Sequence, residues 1–353
     1  MARAVFAIPG DLASLTGGYR YDREVMARLP GLGVAVEHLQ LPGSFPSPGP
    51  QDLAVTERLL ASVPRDAVLF IDGLAFGACP AALVDVIAAP IVAMVHHPLA
   101  LETGLADPSR RALATSERNA LARASHVVVP SPATRDVLAT DYSVPLGKIT
   151  VALPGTDRAP QARSSGASSL ALLAVGSVVP RKGYDVLVEA LTRLGTEYWS
   201  LTIAGSLARA PDHVAALEAQ IAACGLASRI KLTGEIDAAA LDALYAGADV
   251  FILSSHYEGY GMVLAEAMVR GLPIVVTTGG AADDTVPDAA ALKIPPGDVL
   301  GLRSALLRMV QDAPLRKSLA EASFTAGQAL PTWEDTAGIV AAVLSSVAEG
   351  KWS

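Results

Sequence analysis

The sequence predicts an α/β fold of two Rossmann-like domains, each a doubly wound parallel sheet, facing a central cleft. Three observations carry this. Short apolar runs rich in Val, Ile and Leu alternate with longer amphipathic stretches along most of the chain. The runs are continuous rather than alternating, as strands covered on both faces require. A length of 353 residues, at roughly 100 to 200 residues per domain, accommodates two cores.

The strands expected in the first half are residues 4–8, 34–39, 67–71, 91–95, 126–129 and 149–153; those in the second are 170–175, 201–204, 230–233, 250–253, 274–277 and 292–294. Helical patterns lie between them. Leu187, Ala190, Leu191 and Leu194 fall at i, i+3, i+4 and i+7, and Leu241, Leu244 and Tyr245 repeat the spacing in a shorter segment. Strand and helix repeated in this order make parallel sheets whose ligands bind beyond the carboxyl ends of the strands. Segment 154–169, PGTDRAPQARSSGASS, has no hydrophobic period and is dominated by Pro, Gly and Ser. Its residues 156–169 are read as a linker between domains 1–155 and 170–330. After Pro331 one long helix is expected, with Thr332 as its N-cap and Ile339, Val343 and Val347 as its apolar stripe.

Composition excludes several classes. With 51% hydrophobic and 18% charged residues the chain is not disordered. Cys79 and Cys224 are far apart and outside any CxxC, so neither a disulfide framework nor a zinc ribbon is expected. No apolar run approaches the roughly 18 residues of a membrane span, and the N-terminal run breaks at Pro9-Gly10, too early for a signal peptide. A cytoplasmic protein is expected. Residues 1–165 carry 14 bases against 15 acids, and the remainder 13 against 20. Nucleic-acid binding calls for the opposite sign. A small anion remains compatible, held by a few local bases and helix N-termini.

Four motifs can carry chemistry. In VFIL-SSHYEGYGMVLAEAM a strand runs through a Gly-containing turn into a helix, with Glu258 and Glu266 seven residues apart and Gly259, Tyr260 and Gly261 between them. Backbone N–H groups and the positive helix end then face the crevice, and the two carboxylates can accept hydrogen bonds from vicinal hydroxyls. Alone, such a pair reads as a loop acid and a helix-start acid; with a strand on either side the functional reading prevails. In LLAVGSVVPRKGYDVL, Arg181 and Lys182 stand at a strand-to-helix junction, where adjacent cations suit a diphosphate and need an anion, because the helix end is already positive. Only six lysines occur in the chain, so this placement is not background; a solvated turn is the plain alternative. Gly17-Gly18 precede an expected helix carrying Tyr21, Val25, Met26 and Leu29 on one face, a signal that also fits a bare turn. Neither GxGxxG nor GxxxxGK[ST] occurs. His96 and His97 follow the strand 91–95, with no further His or Cys at zinc spacing and no G-x-S-x-G elbow; as single residues they read equally as packed or capping side chains.

Together these residues resemble the retaining nucleotide-sugar glycosyltransferases of family 4, which have the GT-B architecture. The resemblance covers nearly the whole chain: Gly17-Gly18, the strand ending at His96, PGTD at 154–157, R-K-G at 181–183, EGYG with its second Glu, GLPIVVTTGG at 271–280, PPGD at 295–298 and the late Trp333-Glu334. It implies that Arg181 and Lys182 bind the donor diphosphate and stabilise the leaving nucleoside diphosphate. Gly17 and Gly18 would approach the diphosphate from the other domain. Glu258 with Gly259, Tyr260 and Gly261 would contact the donor sugar, Glu266 would hold the ribose, and His96 would lie near the anomeric carbon and acceptor. Helix 331–353 would cross back onto the N-terminal domain. The activity implied is hexosyl transfer from a nucleoside-diphosphate sugar to an acceptor hydroxyl, with retention and with neither metal nor cofactor. The partners implied are the donor and an acceptor; the near-neutral first half, without a basic amphipathic stretch, favours a small molecule or saccharide, with a lipid as the alternative, and an enzyme at most weakly peripheral to the inner membrane face. A nucleotide-sugar epimerase of the same architecture and a non-catalytic nucleotide-sugar-binding protein are the alternatives.

Overall fold

In a computed structural model, described here for residues 2–163, 169–192, 194 and 198–351, the chain separates into two compact units. One comprises Met1–Gly155 together with Pro331–Ser353, the other Thr156–Leu330. Residues 164–168 of the linker segment lie outside the described residues.

Each unit is built on a six-stranded parallel sheet. In the first, β1 (Ala2–Pro9), β2 (Val34–Leu41), β3 (Val68–Asp72), β4 (Ile91–Met94), β5 (His126–Val129) and β6 (Ile149–Val151) lie in the order β2-β1-β3-β4-β5-β6. In the second, β7 (Leu170–Val175), β8 (Trp199–Ala204), β9 (Ile230–Leu232), β10 (Val250–Leu253), β11 (Ile274–Thr277) and β12 (Ala291–Ile294) lie in the order β12-β11-β10-β7-β8-β9. All twelve expected strands are present, with ends shifted by at most two residues. Every residue of β3, β4, β5, β10 and β11 is buried, which explains their unbroken apolar runs: helices cover both faces, so no position can be polar at low cost.

Register decides which side chains share the carboxyl edge of each sheet. In the first unit Asp72 pairs with Met94, so the residue ending β3 and the loop just after β4 emerge side by side. In the second, Val250 of β10 pairs with Leu172 of β7, which brings the turns after these two central strands together.

The C-terminal helix Trp333–Ala348 belongs to the first unit. Thr332 caps it by a reciprocal pair, Asp335 N–H to Thr332 Oγ1 at 3.2 Å and Thr332 N–H to Asp335 Oδ2 at 2.8 Å. Trp333, Ala337, Val340, Ala341, Leu344 and Val347 are buried. Val343 is buried as well, but Ile339 is exposed. The expected stripe at i, i+4, i+8 drifts around a 3.6-residue helix, so Ile339 falls outside the packed face. Thr336 Oγ1 donates to Leu153 O at 2.7 Å, and Arg28 Nε pairs with Glu334 Oε1 at 2.9 Å, so the helix is tied to both β6's exit and the first helix. Cys79 is a free, buried thiol and Cys224 a free, half-buried one.

Candidate active site

The second unit assembles a compact ionic group at the ends of β7 and β10. After β7 the chain makes a single 3₁₀ turn, Pro180–Lys182, and Gly183 then opens the helix Tyr184–Thr192. Gly183 has φ +60°, and a Cβ there would stand 2.3 Å from Ser254 O. No other residue lets the cationic turn press against the loop after β10. That apposition is secured by Ser254 Oγ donating to Lys182 O at 2.9 Å and His256 N–H donating to Arg181 O at 2.8 Å.

Glu258 is the centre of the group. Its Oε1 accepts from Lys182 Nζ at 2.5 Å and from Ser255 Oγ at 2.6 Å, and its Oε2 lies 3.4 Å from Arg181 Nη1. Arg181 Nη1 also donates to Tyr257 O at 2.6 Å. Lys182 and Glu258 are buried. Burial raises the Glu258 carboxyl's pKa, but Lys182 and Arg181 and the hydrogen bonds from Lys182 and Ser255 outweigh it, bringing it down to about 2. The anion demanded by Arg-Lys at a helix start is therefore supplied by the protein itself, as Glu258. Two cations meet one carboxylate there, in a unit whose sequence has 18 acids against 14 bases.

The backbone of Glu258 is fixed as firmly as its side chain. Its N–H donates to Gly279 O at 3.1 Å and its carbonyl accepts from Ala281 N–H at 2.8 Å, so the Gly279-Gly280 loop after β11 braces the EGYG turn. Tyr260 is buried, its hydroxyl pKa pushed up to about 12 by burial, and its carbonyl accepts from Thr285 Oγ1 at 2.7 Å. Gly259 is half-buried and Gly261 is the N-cap of the helix Met262–Val269. Glu266, expected in the first turn of that helix, is its fifth residue and so stands in the second turn. Its half-buried carboxylate accepts from Tyr245 Oη at 2.8 Å.

His96, Gly17 and Gly18 lie in the first unit and form a second group. Gly17 and Gly18 do not precede the helix as read from the sequence; they are its first residues, in Gly17–Arg28, capped by Thr16 Oγ1 accepting from Tyr19 N–H at 3.3 Å. Tyr19, Arg20 and Tyr21 follow them in the helix, and Tyr21 Oη donates to Ala152 O at 3.1 Å. A Cβ on Gly18 would stand 3.1 Å from His96 Cδ2, so the absence of a side chain lets the imidazole lie against the helix start. His96 Nε2 is 3.5 Å from Asp22 Oδ1, and Asp22, Asp72 and His96 each offer a ligand atom within 4.8 Å of the others. His97 turns elsewhere, with Nε2 3.5 Å from Glu102 Oε2.

Asp22 and Asp72 were missed in the sequence reading, though each had a signal. Asp22, Val25, Met26 and Leu29 stand at i, i+3, i+4 and i+7, so an acid sits on an apolar helix face. Asp72 closes the apolar run VLFID at a strand's carboxyl end. Tyr245 carried no such signal, because its partner Glu266 lies 21 positions away; Ser255, three residues before Glu258, carried none because a serine in a strand-to-helix turn is ordinary.

Two parallel-sheet units of this topology, one with a cation pair and a carboxylate at its strand ends, define a GT-B fold. Sucrose-phosphate synthase from Thermosynechococcus elongatus superposes with a TM-score of 0.83 at 20% identity, covering 98% of this chain and 100% of that one. Anabaena HepE in complex with UDP-glucose gives 0.77 at 19% identity, covering 98% and 100%. In sequence, residues 19–159 match the family described as Glycosyltransferase Family 4 and residues 157–325 the family described as Glycosyl transferases group 1. The D-inositol 3-phosphate glycosyltransferase of Xylanimonas cellulosilytica is 28% identical over 247 residues, 65% of this chain and 59% of that relative. The chain thus spans less than two thirds of that relative's length. The two family matches abut, together run from residue 19 to residue 325, and are both to families of glycosyltransferases.

Proposed function

We propose that the protein transfers a hexose-type sugar from a nucleoside-diphosphate sugar to an acceptor hydroxyl, with retention of anomeric configuration and without a metal. One observation carries the reading: Arg181 and Lys182 converge on a buried, ionised Glu258 at the ends of β7 and β10, two cations to one carboxylate. Cleaving a sugar–phosphate bond builds negative charge on the departing diphosphate and positive charge on the anomeric carbon. Two fixed cations beside a helix N-terminus stabilise the first without needing to reorganise during the reaction. A carboxylate held ionised in the same group is suited to the second and to the sugar hydroxyls.

In this reading Arg181 and Lys182 grip the diphosphate, and Glu258 with the Gly259-Tyr260-Gly261 backbone meets the donor sugar. Glu266, oriented by Tyr245, holds the ribose hydroxyls. Gly17 and Gly18 approach the diphosphate, and His96 serves the anomeric carbon and acceptor. The ligands bound by the Anabaena neighbour, UDP and glucose or UDP-glucose, make a uridine donor the first to try. For the acceptor the reading favours a small molecule or saccharide, with a lipid as the alternative.

The test is binding followed by turnover. UDP, GDP, ADP and dTDP and their common sugars are screened by thermal shift in EDTA. A ligand at about 100 times its Kd stabilises by roughly 2.7 kcal/mol. One base should raise Tm clearly, and Lys182→Met should abolish the shift. Donor consumption in EDTA with a sugar acceptor, and an anomeric proton coupling in the product matching the donor's configuration, complete the reading. Inversion, or dependence on a divalent ion, overturns those two elements; no shift with any diphosphate overturns the whole.

A further inference from the structure

Behind His96 lie two carboxylates that the reaction outlined above does not use. Asp22 is 1% and Asp72 5% exposed, whereas 22% of the His96 side chain is exposed. Only the imidazole can meet a ligand; the acids can act only through it. The three side chains come from separate elements, the helix Gly17–Arg28, the end of β3 and the loop after β4, and the β3–β4 register brings the last two together. Asp72 is fixed by its own cap, Oδ1 accepting from Leu74 N–H at 2.7 Å. Among the described residues neither acid has a Lys or Arg partner, and Asp22 Oδ2 has no protein donor. The buried negative charge can be met only by protons within the group.

We propose that Asp22 and Asp72 form an anionic seat that positions His96 and keeps it protonated, so that the imidazolium donates a hydrogen bond to an oxygen of the bound substrate. This rests on the transferase reading only for the word substrate. The charge balance is the reverse of that around Glu258: two carboxyls face one base. Burial and the Asp22 charge push Asp72 up to about 6. Burial pulls the His96 pKa down, but the charges of Asp22, 3.5 Å away, and of Asp72 outweigh it and raise it. The other titratable neighbours do not compete for the proton. Tyr21, edge-on to the ring at 5.5 Å between centroids, has its hydroxyl bound to Ala152 O and its pKa raised by burial. His97 and Glu102, in the adjoining loop, face each other. Gly18, uncharged, lies against the Cδ2–Nε2 edge of the ring. Asp22 and Asp72 are positioning residues; His96 alone reaches the ligand.

The first readout needs no activity. The Hε1 resonance of His96, assigned with His96→Gln, is followed against pH in the intact protein. It should titrate above 6.5 in the wild type, and Asp22→Asn should lower it by about one unit or more, a tenfold change in proton affinity. If Asp22→Asn does not fold, Asp72→Asn should lower it in the same direction. The second readout is the pH profile of donor consumption. Asp22→Asn should move the alkaline limb of kcat to lower pH, leave the donor KM within about twofold, and recover activity as the pH is brought to 6. A side chain with a merely structural role would not give activity back on acidification. Titration of His96 at or below 6.5 in the wild type, no movement in both Asp variants, or perturbation of the resonance by Zn²⁺ at stoichiometric concentration (a cation in place of the proton) overturns the seat. The NMR result stands even if no donor is ever consumed, so failure of the seat and failure of the transferase reading remain separate.

Discussion

The two units place chemically opposite groups at equivalent points of their sheets, the carboxyl ends of central parallel strands. In the second unit two cations face one carboxylate, and Glu258 stays ionised down to about pH 2. In the first, two carboxyls face one imidazole, and Asp72 is held protonated up to about pH 6. Burial is similar in both. What differs is which sign is in the majority, and that alone decides whether the site presents fixed positive charge or a stored proton. Parallel-sheet architecture supplies the place; a few residue identities supply opposite electrostatics.

The comparison breaks most directly at Lys182. Lys182→Met leaves Glu258 buried with Arg181 alone at 3.4 Å, and removing one partner of a buried pair costs about 3–5 kcal/mol. Urea denaturation should show that loss, and donor turnover should fall about 10²–10³-fold. Unchanged stability would mean the ionic group is not a fixed part of the fold.

Next come the pH dependences, which should have opposite signs. Glu258 has a folded pKa of about 2 against an ordinary 4.5. It therefore contributes stability above pH 4.5 that is lost as pH falls toward 2, with a ceiling of about 3 kcal/mol. In Glu258→Gln the acid limb of the stability curve should flatten over that window. Asp72 runs the other way. Its folded pKa of about 6 lies above its ordinary 3.8, so the unfolded chain releases the proton first and stability falls as pH rises from 3.8 to 6. Asp72→Asn, which keeps the cap on Leu74, should remove that fall, at most about 3 kcal/mol. Guanidinium melts of each variant from pH 3 to 8 decide both; equal slopes in variant and wild type would erase the contrast.

Gly18→Ala sharpens it further. Alanine gains helix propensity of up to about 1 kcal/mol, but its Cβ would press on the His96 ring at 3.1 Å. The two nearly cancel in Tm, while the displaced imidazole should lower kcat several-fold. Smallest of all is Tyr245→Phe, which removes one hydrogen bond from Glu266, worth about 1 kcal/mol. It should raise the donor KM a few-fold with kcat unchanged, measured under saturating acceptor.

Much of the architecture was legible because a strand buried on both faces must be mainly apolar, and β3, β4, β5, β10 and β11 announce themselves in that way. The cation pair and the two glutamates were legible for a related reason: charged residues in a Gly-containing strand-to-helix turn have few structural uses. The face of the last helix was less so. Ile339 fits the apolar spacing but is exposed, because the direction of packing is set by β1 and the first helix, not by hydrophobicity. That Glu258 itself supplies the counter-anion for Arg181 and Lys182 was not legible either, since 76 positions separate them.

By itself, then, the sequence determined what is local: strand and helix periods, the glycines at tight junctions, the Thr332 cap, and the chemical types present at strand ends. Only the tertiary structure decided which of those types meet. Sheet order places β10 beside β7 and β4 beside β3, and register then fixes Glu258 against Arg181-Lys182 and His96 against Asp72 and Asp22. The physical reason is that pKa and charge depend on neighbours within a few ångströms, and in a parallel sheet those neighbours are always distant in sequence, because a whole crossover separates adjacent strands.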